Sequence, residues 1–236
     1  MAESPKVAII TGASQGIGAG LVAAFQRAGY AVVATSRSIH AADEHDLLTV
    51  AGDIAVAATA DQVVGHALDR FGRIDSLINN AGIFIGKPFT EYTTEDYDEI
   101  TAVNLTGFFH LTQRAIAQMV TQHSGHIVNI TTSLVDQADS NRPAALAALT
   151  KGGLAAVTRS LAIEYASRGV RVNAVALGVI QTPTHPPESY AAMTDLHPLH
   201  RLGQISDVVD GILYLERATF ATGETLHIDG GQTAGH

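Results

Sequence analysis

Eight consecutive residues, Thr11-Gly12-Ala13-Ser14-Gln15-Gly16-Ile17-Gly18, have the types and spacing to grip a phosphate. The three glycines serve different ends. Gly12 lets the chain turn sharply, Gly16 brings backbone up to a phosphate with no Cβ in the way, and Gly18 allows the following segment to pack closely. Ser14, Gln15 and Ile17 belong to the same turn. Before it, Lys6-Val7-Ala8-Ile9-Ile10 is short, apolar and β-branched; after it, Ala19 to Ala28 reads as a helix. Strand, glycine turn and helix in that order form the first half of a dinucleotide-binding unit. The helix start then offers free N–H groups and a positive dipole end to a pyrophosphate. An ordinary glycine turn is the competing reading, and the flanking elements weigh against it.

The elements that must position this loop recur along the chain. Strands are expected at Ala31–Ser36, Leu47–Val50, Ile74–Ile78, His126–Thr131, Val170–Val175 and Thr225–Ile228. Helices are expected at Ala57–Phe71, Thr94–Gln122 with Thr94 as cap, Ala144–Ser167, and from a Ser206 cap to about Glu216. Val63, Ala67 and Leu68 share one face of the first of these. This alternation implies an α/β fold: a Rossmann-type, doubly wound parallel sheet of about seven strands with helices on both faces. No repeat or linker divides residues 1–236, so one domain is expected, with a Pro- and His-rich lid at about 179–203. In such sheets a ligand lies beyond the carboxyl ends of the strands. Gly12, Arg37, Asp53, Asn80, Thr132 and Gly178 all follow strands, so they should converge on one crevice.

The bulk numbers fit. Apolar residues make up 46% and charged residues 16% of 236, enough for a large core and too few charges for disorder. A net charge of −9 disfavours a nucleic-acid partner, since no basic excess exists to neutralise phosphates. The absence of cysteine excludes a disulfide framework, a thiolate metal site and a thiol nucleophile. No signal peptide is visible and no apolar run reaches the roughly 18 residues of a membrane span, so a cytoplasmic protein is expected.

In combination, several motifs carry a family resemblance over nearly the whole chain. They are the glycine loop, Gly52-Asp53-Ile54, Asn79-Asn80-Ala81-Gly82, Val103-Asn104-Leu105, Lys151, Arg171-Val172-Asn173-Ala174-Val175, Thr182 and Asp229-Gly230-Gly231. The chain resembles the short-chain dehydrogenase/reductase family. The resemblance implies a nicotinamide dinucleotide in the crevice and hydride transfer between a carbonyl compound and its alcohol. It implies that Gly12, Gly16, Ile17 and Gly18 hold the pyrophosphate and that Asp53, with Ile54, meets the adenine. Asn80, Ala81 and Gly82 would lie beside the ribose, while Gly178, Ile180 and Thr182 would hold the nicotinamide end. Asn104 would help hold a water in a proton relay, and Lys151 would bond the nicotinamide ribose. A capping Asp53 and a packing Asn104 are the plain alternatives.

Cofactor choice turns on Ser36-Arg37-Ser38 at the end of the second strand. An acidic residue there would bond a ribose 2′-OH, whereas a guanidinium between two hydroxyls suits a 2′-phosphate. NADP(H) is therefore expected over NAD(H); a solvated surface Arg37 is the alternative.

The pattern breaks at the catalytic centre. The family places a Tyr four residues before its Lys, on one helix face, where the ammonium lowers the phenol pKa. Position 147 is Ala, and no Tyr lies between Tyr97 and Tyr165. The family's catalytic Ser falls at Thr132, with Ser133 next; either hydroxyl could bond a carbonyl oxygen, or both could simply satisfy a turn. Leu177 replaces a Pro before Gly178. Three readings follow: an oxidoreductase with a substitute donor, a dinucleotide-binding regulator or partner subunit without catalysis, or a redox-neutral enzyme in the same cleft. Lys151 through a water held by Asn104 is one substitute donor; His185 in the lid is another, with His197 and Tyr190 behind it.

Apolar residues on two long helices, Phe108, Phe109 and Leu111 on one and Leu154, Val157 and Leu161 on the other, fit a homodimer or homotetramer of the family type; an internal core is the alternative. The lid's mixture of Pro, His, Tyr and Met suits a small or medium, partly apolar carbonyl or alcohol. His185, His197 and His200 lack metal spacing, so no metal is expected.

Overall fold

The computed structural model describes residues 4–183 and 190–235. Seven strands form one sheet: β1 Val7–Thr11, β2 Ala31–Ser36, β3 Leu47–Ala51, β4 Ser76–Asn79, β5 Gly125–Thr132, β6 Val170–Leu177 and β7 Thr225–Ile228. Their order is β3-β2-β1-β4-β5-β6-β7, and every pairing is parallel. The reversal between β1 and β4 opens a crevice at the carboxyl edge, the usual ligand position in this architecture. The chain is a single-domain α/β Rossmann fold, as the alternation predicts.

The helices are α1 Gly16–Arg27, α2 Ala57–Phe71, α3 Thr94–Thr101, α4 Gly107–Gln122, α5 Ala145–Tyr165, α6 Tyr190–Thr194 and α7 Ile205–Arg217. Alternate residues of β1 feed two cores. Val7 and Ile9 face α2, α4 and α5, packing with Val63, Leu111, Ala115 and Ala162. Ala8 and Ile10 face α1 and α7, packing with Leu21, Phe25, Val208 and Ile212. A strand buried on both faces must be apolar throughout, which is why β1 shows no alternation.

Several boundaries depart from expectation by one to three residues, four of them with a consequence for the loop, the caps or the sheet. Helix α1 begins at Gly16, not Ala19, so the glycine loop itself supplies the first helical turn. Thr93, not Thr94, caps α3, in a capping box with Asp96. Gln204, not Ser206, caps α7, boxed with Asp207. Strand β4 starts at Ser76 because the Ile74 N–H donates to the Gln122 Oε1 at 2.9 Å rather than to the sheet.

The expected helix over 94–122 is continuous but carries a π-helical turn at Ala102–Thr106. Such turns insert one extra residue and re-aim side chains, often at functional sites. Asn104 lies within it. The stems of the expected lid are joined by a parallel bridge between Ile180 and Gly203, with Gln181 N–H donating to Gly203 O at 2.8 Å and Gly203 N–H to Val179 O at 3.0 Å.

Candidate active site

One cleft of about 750 Å³ opens at the carboxyl edge of the sheet. Its size suits a cofactor or substrate site. Glycine loop residues form one wall, Arg37 and Asp53 close the β2–β3 end, and Thr132, Ser133, Ala147 and Lys151 lie on the β5–α5 side. Ile54, Asn80, Ala81, Gly82, Gly178, Ile180 and Thr182 also line it. His185 lies outside the described residues.

The glycine wall is shaped for close approach. Gly12 and Gly16 have φ of 64° and 56°, in the left-handed region. A Cβ on Gly12 would stand 2.9 Å from the Ala81 Cα, and one on Gly18 would run into the Gly12 carbonyl. Asn80 binds this wall to β4: its Nδ2 donates to Thr11 O at 2.8 Å, and the N–H groups of Asn80 and Ala81 both donate to Thr11 Oγ1. Thr182 rests against Gly16, so the far stem of the lid meets the loop directly.

At the β2 end the Ser36 hydroxyl is buried without a hydrogen-bond partner, beside the exposed Arg37. A buried, unpaired hydroxyl is disfavoured unless a ligand meets it. Asp53 does form the turn its plain alternative predicts, with Oδ1 accepting from Ala55 N–H at 2.9 Å, yet it also faces the cleft. A glycine-lined wall, an unpaired hydroxyl and an exposed guanidinium together fit a dinucleotide.

On the β5–α5 side the polar groups have protein partners. Lys151 reaches across from α5, and its Nζ donates to the carbonyl oxygen of Ile130 at 2.8 Å. Burial pushes its ammonium down to about 8. It lies close under Gly82, where a Cβ would stand 2.8 Å from Nζ. Ala147 is one turn earlier on the same face and also lines the cleft. Its methyl packs with Leu146 and Ile100 in a small apolar cluster.

Asn104 is buried beneath the cleft rather than on its surface. Its Oδ1 accepts from Ile83 N–H at 2.9 Å, and its Nδ2 donates to Ile83 O at 3.0 Å and to Thr150 Oγ1 at 3.1 Å. Both ends of the amide therefore brace the segment after β4. The Ser133 hydroxyl donates to Gln232 Oε1 at 2.9 Å, and the Thr132 hydroxyl accepts from Leu134 N–H at 3.3 Å, capping the short 3₁₀ turn Ser133–Val135.

His197 is buried, and its Nε2 accepts from Val179 N–H at 3.0 Å. Burial lowers its pKa, and the ring lies against Gly178 and Gly230. Leu111 and Leu154, read as interface candidates, are core residues; Phe109, Leu149 and Ile163 are the exposed apolar side chains of α4 and α5. Among the described residues, no three His, Asp or Glu could hold a metal ion, and no helix is long and apolar enough to cross a membrane.

The structure adds cleft residues that spacing did not reveal: Phe84, Leu134, Arg142 and Met193. The available signal was Arg142, the sole basic residue between Ser133 and Lys151.

Comparison with known proteins agrees with this geometry. A family model described as enoyl-(acyl carrier protein) reductase matches residues 12–233. An uncharacterized oxidoreductase of Thermotoga maritima is 35% identical over 97% of this chain and 98% of its own. A 3-oxoacyl-[acyl-carrier-protein] reductase of Synechocystis sp. is 36% identical over 98% of each. The solved structure of ElxO with NADP bound superimposes with a TM-score of 0.91 at 30% identity, covering 98% of this chain and all of that one.

Proposed function

The chain belongs to the short-chain dehydrogenase/reductase family of oxidoreductases, and from that premise we propose that it interconverts a carbonyl compound and its alcohol with NADP(H), using Lys151 in place of a tyrosine. The observation that carries the reading is Lys151 itself. A buried ammonium with its pKa pushed down to about 8 stands at the cleft floor, one helical turn from a position where Ala147 leaves room. Bound in this cleft, a nicotinamide dinucleotide would supply or accept a hydride, one proton with two electrons, at the carbonyl carbon.

The chain's own groups do the rest. The loop from Gly12 to Gly18 holds the pyrophosphate through backbone N–H groups, with Ser14 and Gln15 beside it. Ser36 and Arg37 take the 2′-phosphate, Asp53 and Ile54 the adenine, and Asn80 to Gly82 the ribose. Gly178, Ile180 and Thr182 enclose the nicotinamide end. Lys151 lends positive charge to the substrate oxygen and passes it a proton through a water in the space beside Ala147. A donor with pKa near 8 is well matched to this task near neutral pH. Thr132 and Ser133 flank that oxygen.

A second reading is favoured by one specific finding. The Ser133 hydroxyl and the Asn104 amide are both committed to protein partners, at Gln232 and Ile83. Such a cleft suits a protein that binds the dinucleotide and has lost catalysis. Substrate turnover without net redox change would support a third, the redox-neutral enzyme.

The test is a panel of carbonyls and alcohols run with NADPH and NADH on the native chain, Ala147→Tyr and Lys151→Ala. Turnover by the native chain that Lys151→Ala abolishes supports the proposal. Turnover only in Ala147→Tyr supports the binding protein. If neither dinucleotide binds, both readings fail. The proposal carries with it a cytoplasmic setting, in keeping with a chain that has no cysteine. It also carries a homodimer or homotetramer joined through Phe109, Leu149 and Ile163, whose exposure exceeds half.

A further inference from the structure

Besides Thr132, Ser133 and Lys151, the cleft is lined by four apolar side chains, Phe84, Leu134, Ala147 and Met193, and by a further cation, Arg142. We propose that Arg142 anchors a carboxylate on the substrate, so that the substrate pair is an oxo acid and its hydroxy acid. The inference rests on the oxidoreductase reading and narrows its substrate class.

Arg142 stands apart from the chain's structural arginines. Arg73 is paired with Asp75, Arg114 with Asp61 and Arg201 with Asp207, while Arg171 donates to the carbonyls of Ala218 and Ala221. Among the described residues, the Arg142 side chain makes no hydrogen bond or ion pair. The acid nearest in sequence, Asp139, acts on Arg142 through its charge but makes no ion pair with it, and its polar atoms close their own turn. Its Oδ1 accepts from Asn141 N–H at 2.9 Å, and its carbonyl accepts from Arg142 N–H at 3.1 Å.

The guanidinium is also partly withdrawn from water, and burial pulls its pKa below the ordinary arginine value. The Asp139 charge offsets only part of that burial, and a half-buried cation with no hydrogen-bonded partner favours a ligand that supplies one. Helix α5 begins three residues later with no capping side chain and no acidic residue in its first turn, which leaves its positive end uncompensated on the same side. Phe84, Leu134, Ala147 and Met193 offer an apolar surface in the same cleft. A planar fork of donors at one point of an apolar pocket selects a single carboxylate on a carbon body.

The phosphate groups of a dinucleotide do not account for Arg142. Arg37 follows β2, and Arg142 follows β5, three strand positions away in the sheet, on the order of 14 Å. The two guanidinium groups therefore serve opposite ends of the cleft.

The test compares the native chain with Arg142→Gln and Arg142→Lys on 4-oxopentanoate and its methyl ester. Binding of butanoate and butanamide is followed in parallel by calorimetry, which needs no turnover. The native chain is expected to favour the acid over the ester in kcat/KM by about tenfold or more, the scale of a charge-assisted pair. It should also bind butanoate and not butanamide. Arg142→Gln should erase both preferences, and Arg142→Lys should keep part of them. An acid-to-ester ratio unchanged by Arg142→Gln, or equal binding of butanoate and butanamide by the native chain, overturns the proposal. If no carbonyl turns over but butanoate binding still depends on Arg142, the anion site stands and the oxidoreductase reading alone falls.

Discussion

The ammonium of Lys151 donates to the carbonyl oxygen of Ile130 at 2.8 Å, fixing the cation of α5 to the carboxyl end of β5. The bond locates a positive charge at the cleft floor without a tyrosine to steer it. It also makes this lysine a reporter for the site.

Burial holds the Lys151 pKa near 8 in the folded chain, against 10.5 for an ordinary lysine. The unfolded chain therefore binds more protons between these two values, and stability rises with pH across that window. The contribution is complete above the unfolded value and is lost as pH falls through about 8. A ¹³Cε NMR titration should show one lysine with a midpoint near 8 that vanishes in Lys151→Met. Lysine midpoints all near the ordinary value would remove the proton donor from the mechanism.

Gly18→Ala should disable the loop. Its Cβ would meet the Gly12 carbonyl and the Ala13 Cα, both backbone atoms that cannot rotate away. Destabilisation of roughly 1–3 kcal/mol is expected from overpacking, together with loss of dinucleotide binding by calorimetry. Native-like affinity in the variant would mean that the loop does not contact the ligand.

Arg37→Asp should invert cofactor choice. A charge-assisted contact with a 2′-phosphate is worth about 1.5–3 kcal/mol, so NADPH should bind roughly 10- to 100-fold more weakly. NADH binding should hold or improve, since a carboxylate can accept from a 2′-OH. Equal losses for both dinucleotides would assign Arg37 a general role.

The opposite edge of the sheet should govern stability alone. Glu216 Oε1 lies 2.8 Å from His126 Nδ1, and its Oε2 accepts from Ser76 Oγ at 2.9 Å, all three side chains being buried. Burial and then the Glu216 charge push the Tyr30 phenol up to about 12. Glu216→Ala strands two buried donors and should cost about 2–4 kcal/mol in urea unfolding. NADPH affinity should stay as in the native chain; a large drop would show that the two edges are coupled.

The glycine loop, the strand–helix alternation and the fold were legible because each rests on neighbours a few residues apart. Val7 to Ile10 had to be a strand buried on both sides, and Gly12 and Gly16 had to turn with positive φ. The sequence also placed Ala147 and Lys151 on one helix face by their spacing. What no local pattern contains is a partner far along the chain. Ser133 meets Gln232 from 99 positions away, and Asn104 meets Thr150 from 46. His197 took its place under Gly178 only when the lid stem folded back. Arg142 became a site residue only because the fold sets it in the cleft lining without an ion-pair partner among the described residues. Type and spacing thus determined which groups this protein owns. Folding decided which of them stay free, because a polar group is committed or available according to what the distant chain brings within hydrogen-bond reach.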